Sequence, residues 1–288
     1  MMEHGRFAYS AIVDRPKWRW PNGARLALWV IPNIEYIRFD GLLRTASPRT
    51  VPPDIRSYAP YDYGNRVAIW RVMALLDRFN IRATVALNAD VCDVYPPIIR
   101  EGRRRNWEWM GHGETNVQGL NGLDEATERS LITQALSKIE AATGARPRGW
   151  LGPGLAESAH TPDLLREAGL EYVADWVNDD QPYVMQTTHG ELYSVPYSTE
   201  INDMPTFPDH SPVEFLRMIK DQFDTLYAEA ADTAKVMAIA LHPGKIGVPH
   251  RIRYLAEALE YINGHEHIWW TTGGEILDAY RQATGKAT

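Results

Sequence analysis

The sequence predicts an α/β protein, a distorted (β/α) barrel with about seven parallel strands. Three observations carry this. Strand-like and helix-like segments alternate along nearly the whole chain, the order of a parallel sheet wrapped by helices. Several strand segments are apolar at consecutive positions, as expected of strands covered on both faces. No linker-like gap breaks the alternation, so the 288 residues read as one domain (1–288, core about 25–283). A doubly wound open sheet is the alternative architecture.

The first strand is Leu26 to Pro32, apolar almost throughout. A polar, Pro-rich loop is expected over about 38–63. Helical periodicity follows from Gly64 to Phe79, on Val67, Trp70, Val72, Leu75, Leu76 and Phe79. Ile81 to Leu87 is a second buried strand, and a helix from about Pro96 to Arg105 leads into the strand at Trp107. Asp124 caps a helix from Glu125 to Thr143. Arg148 to Leu151 is a short strand, Thr161-Pro162 opens a helix ending near Gly169, and Glu171 to Ala174 is a strand. Tyr183-Val184 and Glu191 to Val195 form a hairpin. Ser211-Pro212 starts a helix through Asp232, before the strand Val236 to Leu241. Pro249 to Ile262 is helical, Ile268 to Trp270 is a strand, and Gly274 to Ala283 is the last helix.

Composition excludes several functions. The formal net charge of -7 argues against a nucleic-acid or anionic-membrane surface. Arg103-Arg104-Arg105 is the one compact basic run and reads as a solvated helix end. There is one cysteine, Cys92, so no intrachain disulfide forms; the expectation is a structural thiol in a reducing compartment. The N-terminus lacks an apolar core of signal-peptide length, and no stretch approaches a membrane span, so a cytoplasmic location is expected. No Gly-x-Gly-x-x-Gly follows a strand, and nucleotide binding lacks support.

In a barrel, chemistry gathers where the strands end. Asn33, Glu35 and Tyr36 follow the first strand. The apolar run at Trp107 stops at Gly111, and His112, Glu114 and Asn116 follow at once. Gly152-Pro153-Gly154 follows the strand at Arg148, and Asp175, Trp176, Asn178, Asp179 and Asp180 follow the strand at Glu171. His242-Pro243 follows the strand at Val236. Acids, imidazoles and an aromatic from five strands on one face point to a hydrolytic or acid–base site.

Five segments carry a resemblance over about Leu26 to Arg281: Gly64 to Arg71, Gly111-His112-Gly113, Asp175 to Tyr183, Ala240 to Pro243, and Trp269 to Leu277. Together they resemble the polysaccharide deacetylase superfamily, also called the NodB-homology or carbohydrate esterase family 4 fold. They are most similar to its cytoplasmic branch of allantoinase-like enzymes, cyclic imide hydrolases and a peptidoglycan deacetylase-like group. The resemblance implies a NodB-type barrel, cleavage of a non-peptide C–N bond, and a homo-oligomer, often a tetramer.

The departures from the family pattern bear on metal. Where the family has Thr-Phe-Asp-Asp-Gly, whose two acids serve as base and metal ligand, this chain reads Asn33-Ile34-Glu35-Tyr36-Ile37. Glu35 can replace the base; Tyr36 does not readily replace a hard carboxylate ligand. The family's His-x-x-x-His is His112 to Asn116, and its third-motif Arg gives way to Leu151-Gly152-Pro153-Gly154. The family's Leu-x-His is matched at His242. His112 is thus the single retained ligand position, so no metal cofactor is expected, with zinc at His112 left open.

The expected roles follow. Glu35 activates water, with a pKa raised by a partly dry barrel mouth; a structural ion pair is its alternative. His242 protonates the leaving nitrogen. His112 and Asn116 position the carbonyl and stabilise the oxyanion, while a core histidine and a turn cap are their structural alternatives. Tyr36, Trp176 and Asp175 are expected around the substrate, and Asp175, Asp179 or Asp180 is a candidate to orient His242. The reaction expected is hydrolysis of a small linear or cyclic amide. A metal-dependent carbohydrate de-N-acetylase and a non-catalytic ligand-binding relative are the two other readings. The partner expected is a small molecule, not nucleic acid or membrane.

Overall fold

The computed structural model describes residues 4–43, 46–47 and 50–286. Met1 to Glu3, on which part of the leader reading rested, lie outside them. The elements in chain order are β1 (Leu26–Ile34), α1 (Ile55–Tyr63), a π-helical turn (Gly64–Ala68), α2 (Ile69–Arg78), β2 (Thr84–Leu87), α3 (Val91–Val94), α4 (Pro96–Arg104), β3 (Glu108–Gly111), α5 (Glu125–Thr143), β4 (Gly149–Trp150), α6 (Thr161–Glu167), β5 (Tyr172–Val173), β6 (Tyr183–Thr187), β7 (Gly190–Ser194), α7 (Asp203–Thr206), α8 (Pro212–Glu229), β8 (Lys235–Leu241), α9 (Pro243–Ile246), α10 (Ile252–Asn263), β9 (Ile268–Trp270) and α11 (Gly273–Ala283). The alternation expected from the sequence is present. Its main gap was the stretch 38–63: Asp54 accepts the N–H of Ser57 and starts α1 inside what composition suggested was loop.

The strands form one curled, mostly parallel sheet in the order β6-β7-β5-β4-β3-β2-β1-β8, with β9 on the first residues of β1. Among the described residues it has nine strands rather than about seven, and β6 runs antiparallel to β7 as the hairpin. The path does not close by strand pairing. Instead, irregular chain lies along β8: Val236 N–H donates to Asp180 O, and Ala240 N–H to Ile201 O, both at 2.9 Å.

Alternation explains why β1 and β8 are buried at every position. Leu26, Leu28 and Val30 pack outward under the helices, with Met237, Ile239 and Leu241. Ala27, Trp29 and Ile31 face the barrel interior, with Val236, Ala238 and Ala240. The small residues there make room for Trp29, Tyr172 and Tyr193. Trp29 Nε1–H bonds Pro196 O at 2.9 Å. This packed interior leaves the C-terminal rim of the strands as the place where a cavity opens.

Candidate active site

The rim cavity has a volume of about 630 Å³ and is lined by Glu35, His112, Asn116, Tyr197 and His242, among others. Glu35 directly follows β1. Its backbone is held from two sides: Asn65 of the π-helical turn donates to the Glu35 carbonyl at 2.8 Å, and Asn88 accepts the next N–H, of Tyr36, at 2.8 Å. Asn88 also donates to the carbonyl of His112, tying the ends of β1 and β3 together. The Glu35 carboxylate is buried, with Oε1 3.3 Å from His112 Nε2 and 3.6 Å from His242 Nε2.

The environment of Glu35 corrects one expectation. Burial does push its carboxyl up, but the positive His242 and the bond to His112 outweigh it, and the net shift is downward. His242 is the complement. Burial lowers its pKa, yet Glu35 and Asp203 raise it further, to about 10, so the ring is a cation at neutral pH.

Asp203 is the largest omission of the sequence reading. It is fully buried at the start of α7 and accepts from His242 Nδ1–H at 2.8 Å. It also accepts the backbone N–H groups of His242 and Ile246. These bonds fix the ring and point Nε2 at Glu35 and the cavity. The aspartates proposed for this task are engaged elsewhere: Asp179 pairs with Arg15 at 2.6 Å and Asp180 with Lys235 at 3.1 Å.

His112 follows β3 and is anchored by the Leu151 carbonyl, 2.5 Å from Nδ1. A carbonyl only accepts, so Nδ1 carries a proton there and Nε2 faces Glu35. The Leu151 position therefore serves the site through its backbone. Asn116 is held by its N–H on the Tyr36 carbonyl, while its side-chain Oδ1 is buried without a hydrogen-bond partner. Tyr61 lines the cavity beside it.

Tyr197, just past β7, is a second omission. Its hydroxyl oxygen receives Asn33 Nδ2 and Asn202 Nδ2, each at 3.3 Å. Both amides are oriented by backbone: Asn33 Nδ2 also faces the carbonyls of Ile31 and Leu241, and Asn202 Oδ1 accepts Met204 N–H. An amide nitrogen cannot accept, so the Tyr197 O–H proton remains to be given to something in the cavity. Reading residues 195–197 as one more strand end would have found Tyr197. No local signal marks Asp203, which lies in a connection between hairpin and helix.

Three residues expected around the substrate do not line the cavity. Tyr36 turns to the neighbouring groove with Arg38 and Asp90, its ring 6.1 Å from Tyr95. Trp176 packs edge-on to Phe7, and its Nε1–H bonds Glu157. Asp175 is buried behind the wall, accepting Gly152 N–H at 2.7 Å. Glu157 is held protonated there by burial and the charge of Asp175. In each case the backbone at the strand end belongs to the rim while the side chain points away from it. Cys92 is buried, and burial pushes its thiol up to about 12, as suits a structural role.

The donor set does not fit a resident divalent ion. Among the described residues no three His, Cys, Asp or Glu side chains stand as a ligating group. His112 and His242 both direct Nε2 at the same Glu35 oxygen, and His242 Nδ1 is committed to Asp203.

The same fold occurs in known proteins. A polysaccharide deacetylase family model matches residues 51–173. The structure of Puue allantoinase aligns with 30% identity over 96% of each chain and a TM-score of 0.84. That of a probable polysaccharide deacetylase from Pseudomonas aeruginosa PAO1 aligns with 28% identity, 93% of this chain and 95% of that one, and a TM-score of 0.83. A peptidoglycan deacetylase of Helicobacter pylori is 22% identical over 252 residues, covering 76% of this chain and 85% of its own. No helix among the described residues is long and apolar enough to cross a membrane. With the curled parallel sheet and a carboxylate between two imidazoles at its C-terminal rim, these likenesses make the chain a member of the polysaccharide deacetylase family, hydrolases of non-peptide carbon–nitrogen bonds.

Proposed function

We propose that this chain hydrolyses a small linear or cyclic amide without a metal. The observation that carries the reading is the continuous Asp203–His242–Glu35 array, in which a charged imidazole stands beside an ionised carboxylate. Glu35 takes a proton from water as its oxygen bonds to the amide carbon. The carbonyl oxygen gains charge and is met by the Tyr197 hydroxyl, while Asn116 Oδ1, which lacks a partner, can accept the substrate N–H. As the C–N bond breaks, His242 Nε2–H protonates the departing nitrogen. The proton on Glu35 then returns to His242, and Asp203 keeps the ring in register throughout. His112, locked on Leu151, holds Glu35 from the other side.

The likeness to Puue allantoinase supports cyclic ureides and imides as first substrates to try. The test is a hydrolysis panel of allantoin, hydantoins, succinimide-type imides, N-acetyl sugars and formamides, each with and without chelator. Cleavage of a ureide or imide that survives chelation is the expected result. Cleavage of N-acetyl sugars that chelator abolishes would establish the second reading, a metal-dependent deacetylase, which the likeness to the H. pylori enzyme favours.

Two further outcomes are expected. Activity needs His242 protonated and Glu35 ionised. His242 has a raised pKa, so kcat/KM falls only as pH rises through about 10; Glu35 has a lowered one, so the profile stays flat on the acid side through the ordinary carboxylate range and below it. An alkaline limb near the unshifted imidazole value of 6.5 would refute this assignment. Tyr197→Phe removes one oxyanion donor and is expected to lower kcat by about 10²- to 10³-fold, with KM little changed.

A further inference from the structure

We propose that the amide this cavity takes carries a carboxylate, or a comparably compact anion, at its far end, and that Lys245 and Arg56 at the cavity mouth recognise it. The inference rests on the hydrolase reading above and names the substrate class of the same site.

The charge inventory of the wall supports it. The lining contains one carboxylate side chain, Glu35, and that one lies between two imidazoles. It contains two strong cations, Arg56 and Lys245. Among the described residues neither cation makes a side-chain hydrogen bond or an ion pair within 4.0 Å, whereas several other cations are occupied: Lys138 by Asp90 and Asp93, Lys235 by Asp180 and Glu229, Arg148 by Glu171 and Asp278. The acid nearest Arg56 in sequence, Asp54, feels its charge but is spent on capping α1. Two free cations facing a cavity stand out on a chain of formal charge -7 and focus an attractive field for anions there.

Backbone packing brings the two cations to one side of the mouth. Gly244 and Gly64 approach so closely that a Cβ on Gly64 would lie 2.8 Å from Gly244 N, and a Cβ on Gly244 would overlap the carbonyl of Pro60. α9 thus leans on the face of α1 that carries Pro60. Arg56, four residues earlier, lies on that same face one turn away. Lys245 follows Gly244, and its N–H bonds the His242 carbonyl at 2.8 Å. The anion reader and the proton donor are therefore one turn of chain apart. The lining also has apolar members, Met204, Pro205 and Pro243 among them. The matching ligand has an amide at one end, a short apolar body, and an anion at the other.

Hydantoin-5-acetate and hydantoin-5-acetamide differ in one charge and nearly nothing else. Calorimetric binding to the Glu35→Gln protein separates recognition from turnover. The expected result is about tenfold tighter binding of the acetate, a preference that shrinks with added salt. It should survive Lys245→Arg and fall to about twofold or less in the Lys245→Met/Arg56→Met protein. Equal binding of the two probes, binding of neither, or a preference that persists in the double variant overturns the inference. Failure of the hydrolase reading looks different: the native protein would prefer the acetate yet cleave no amide of the panel. Conversely, a native protein that cleaves neutral ureides as fast as charged ones keeps its hydrolytic function and loses this substrate class.

Discussion

Glu35→Gln is expected to lower kcat by about 10²- to 10⁴-fold, the usual contribution of a positioned general base, while urea unfolding stays cooperative. Gln has nearly the same shape and its side-chain amide can still bond His112 Nε2, so the wall of the cavity persists. What it cannot do is take a proton from water. The substitution also removes one of the two negative groups that keep His242 charged, so the residual activity should lose its alkaline limb near 10 and decline at lower pH. A stopped assay on the best substrate of the panel, across pH, reads both effects. Turnover within a few-fold of the native protein would remove Glu35 from the chemistry and leave it as a structural partner of two histidines.

Asp203→Asn is expected to be nearly as damaging although residue 203 touches no substrate. Asn can satisfy only part of what the carboxylate accepts: His242 Nδ1–H and the N–H groups of His242 and Ile246. Its own N–H turned toward Nδ1 would force the ring into the tautomer with the proton on Nε2 alone, uncharged and out of reach of the cation's acidity. Loss of a carboxylate that sets a catalytic imidazole's tautomer costs up to about 10⁴-fold in kcat. The unmet donors add roughly 1–3 kcal/mol of instability. A kcat loss with KM nearly unchanged, together with an alkaline limb displaced downward, is the signature of a positioning role. A variant that merely unfolds more easily would keep the native pH profile at low temperature, and that result would overturn the assignment.

How much of this was legible in the sequence depends on whether the signal was local. The buried strands announced themselves because Leu26 to Pro32 and Val236 to Leu241 are apolar in a row, which only a two-sided cover explains. Strand ends then pointed to Glu35, His112 and His242, and the fold brings these three together. The same rule misplaced Tyr36, Trp176 and Asp175. A strand end fixes where a backbone emerges, while the side chain's direction depends on packing partners such as Tyr95, Phe7 and Gly152. Asp203 was beyond local reading, since its partner lies 39 residues away and nothing in Asn202-Asp203-Met204-Pro205 separates it from an ordinary helix start. The downward shift of Glu35 was also out of reach. Its sign turns on two imidazoles that neighbour it only in space.

The seam along β8 has a consequence for how the protein ages and fails. On the side of β8 away from β1, the Ala240 N–H bonds to Ile201, and the segment that supplies that bond also carries Tyr197, Asn202 and Asp203. The residues that orient His242 and that meet the carbonyl oxygen therefore hang on the one side of the sheet without a continuous ladder. Chain held by isolated bonds opens at lower free energy than chain held in a ladder. Opening of this segment would release His242 from Asp203 and Trp29 Nε1–H from the Pro196 carbonyl together, so activity should vanish with the first loss of packing there.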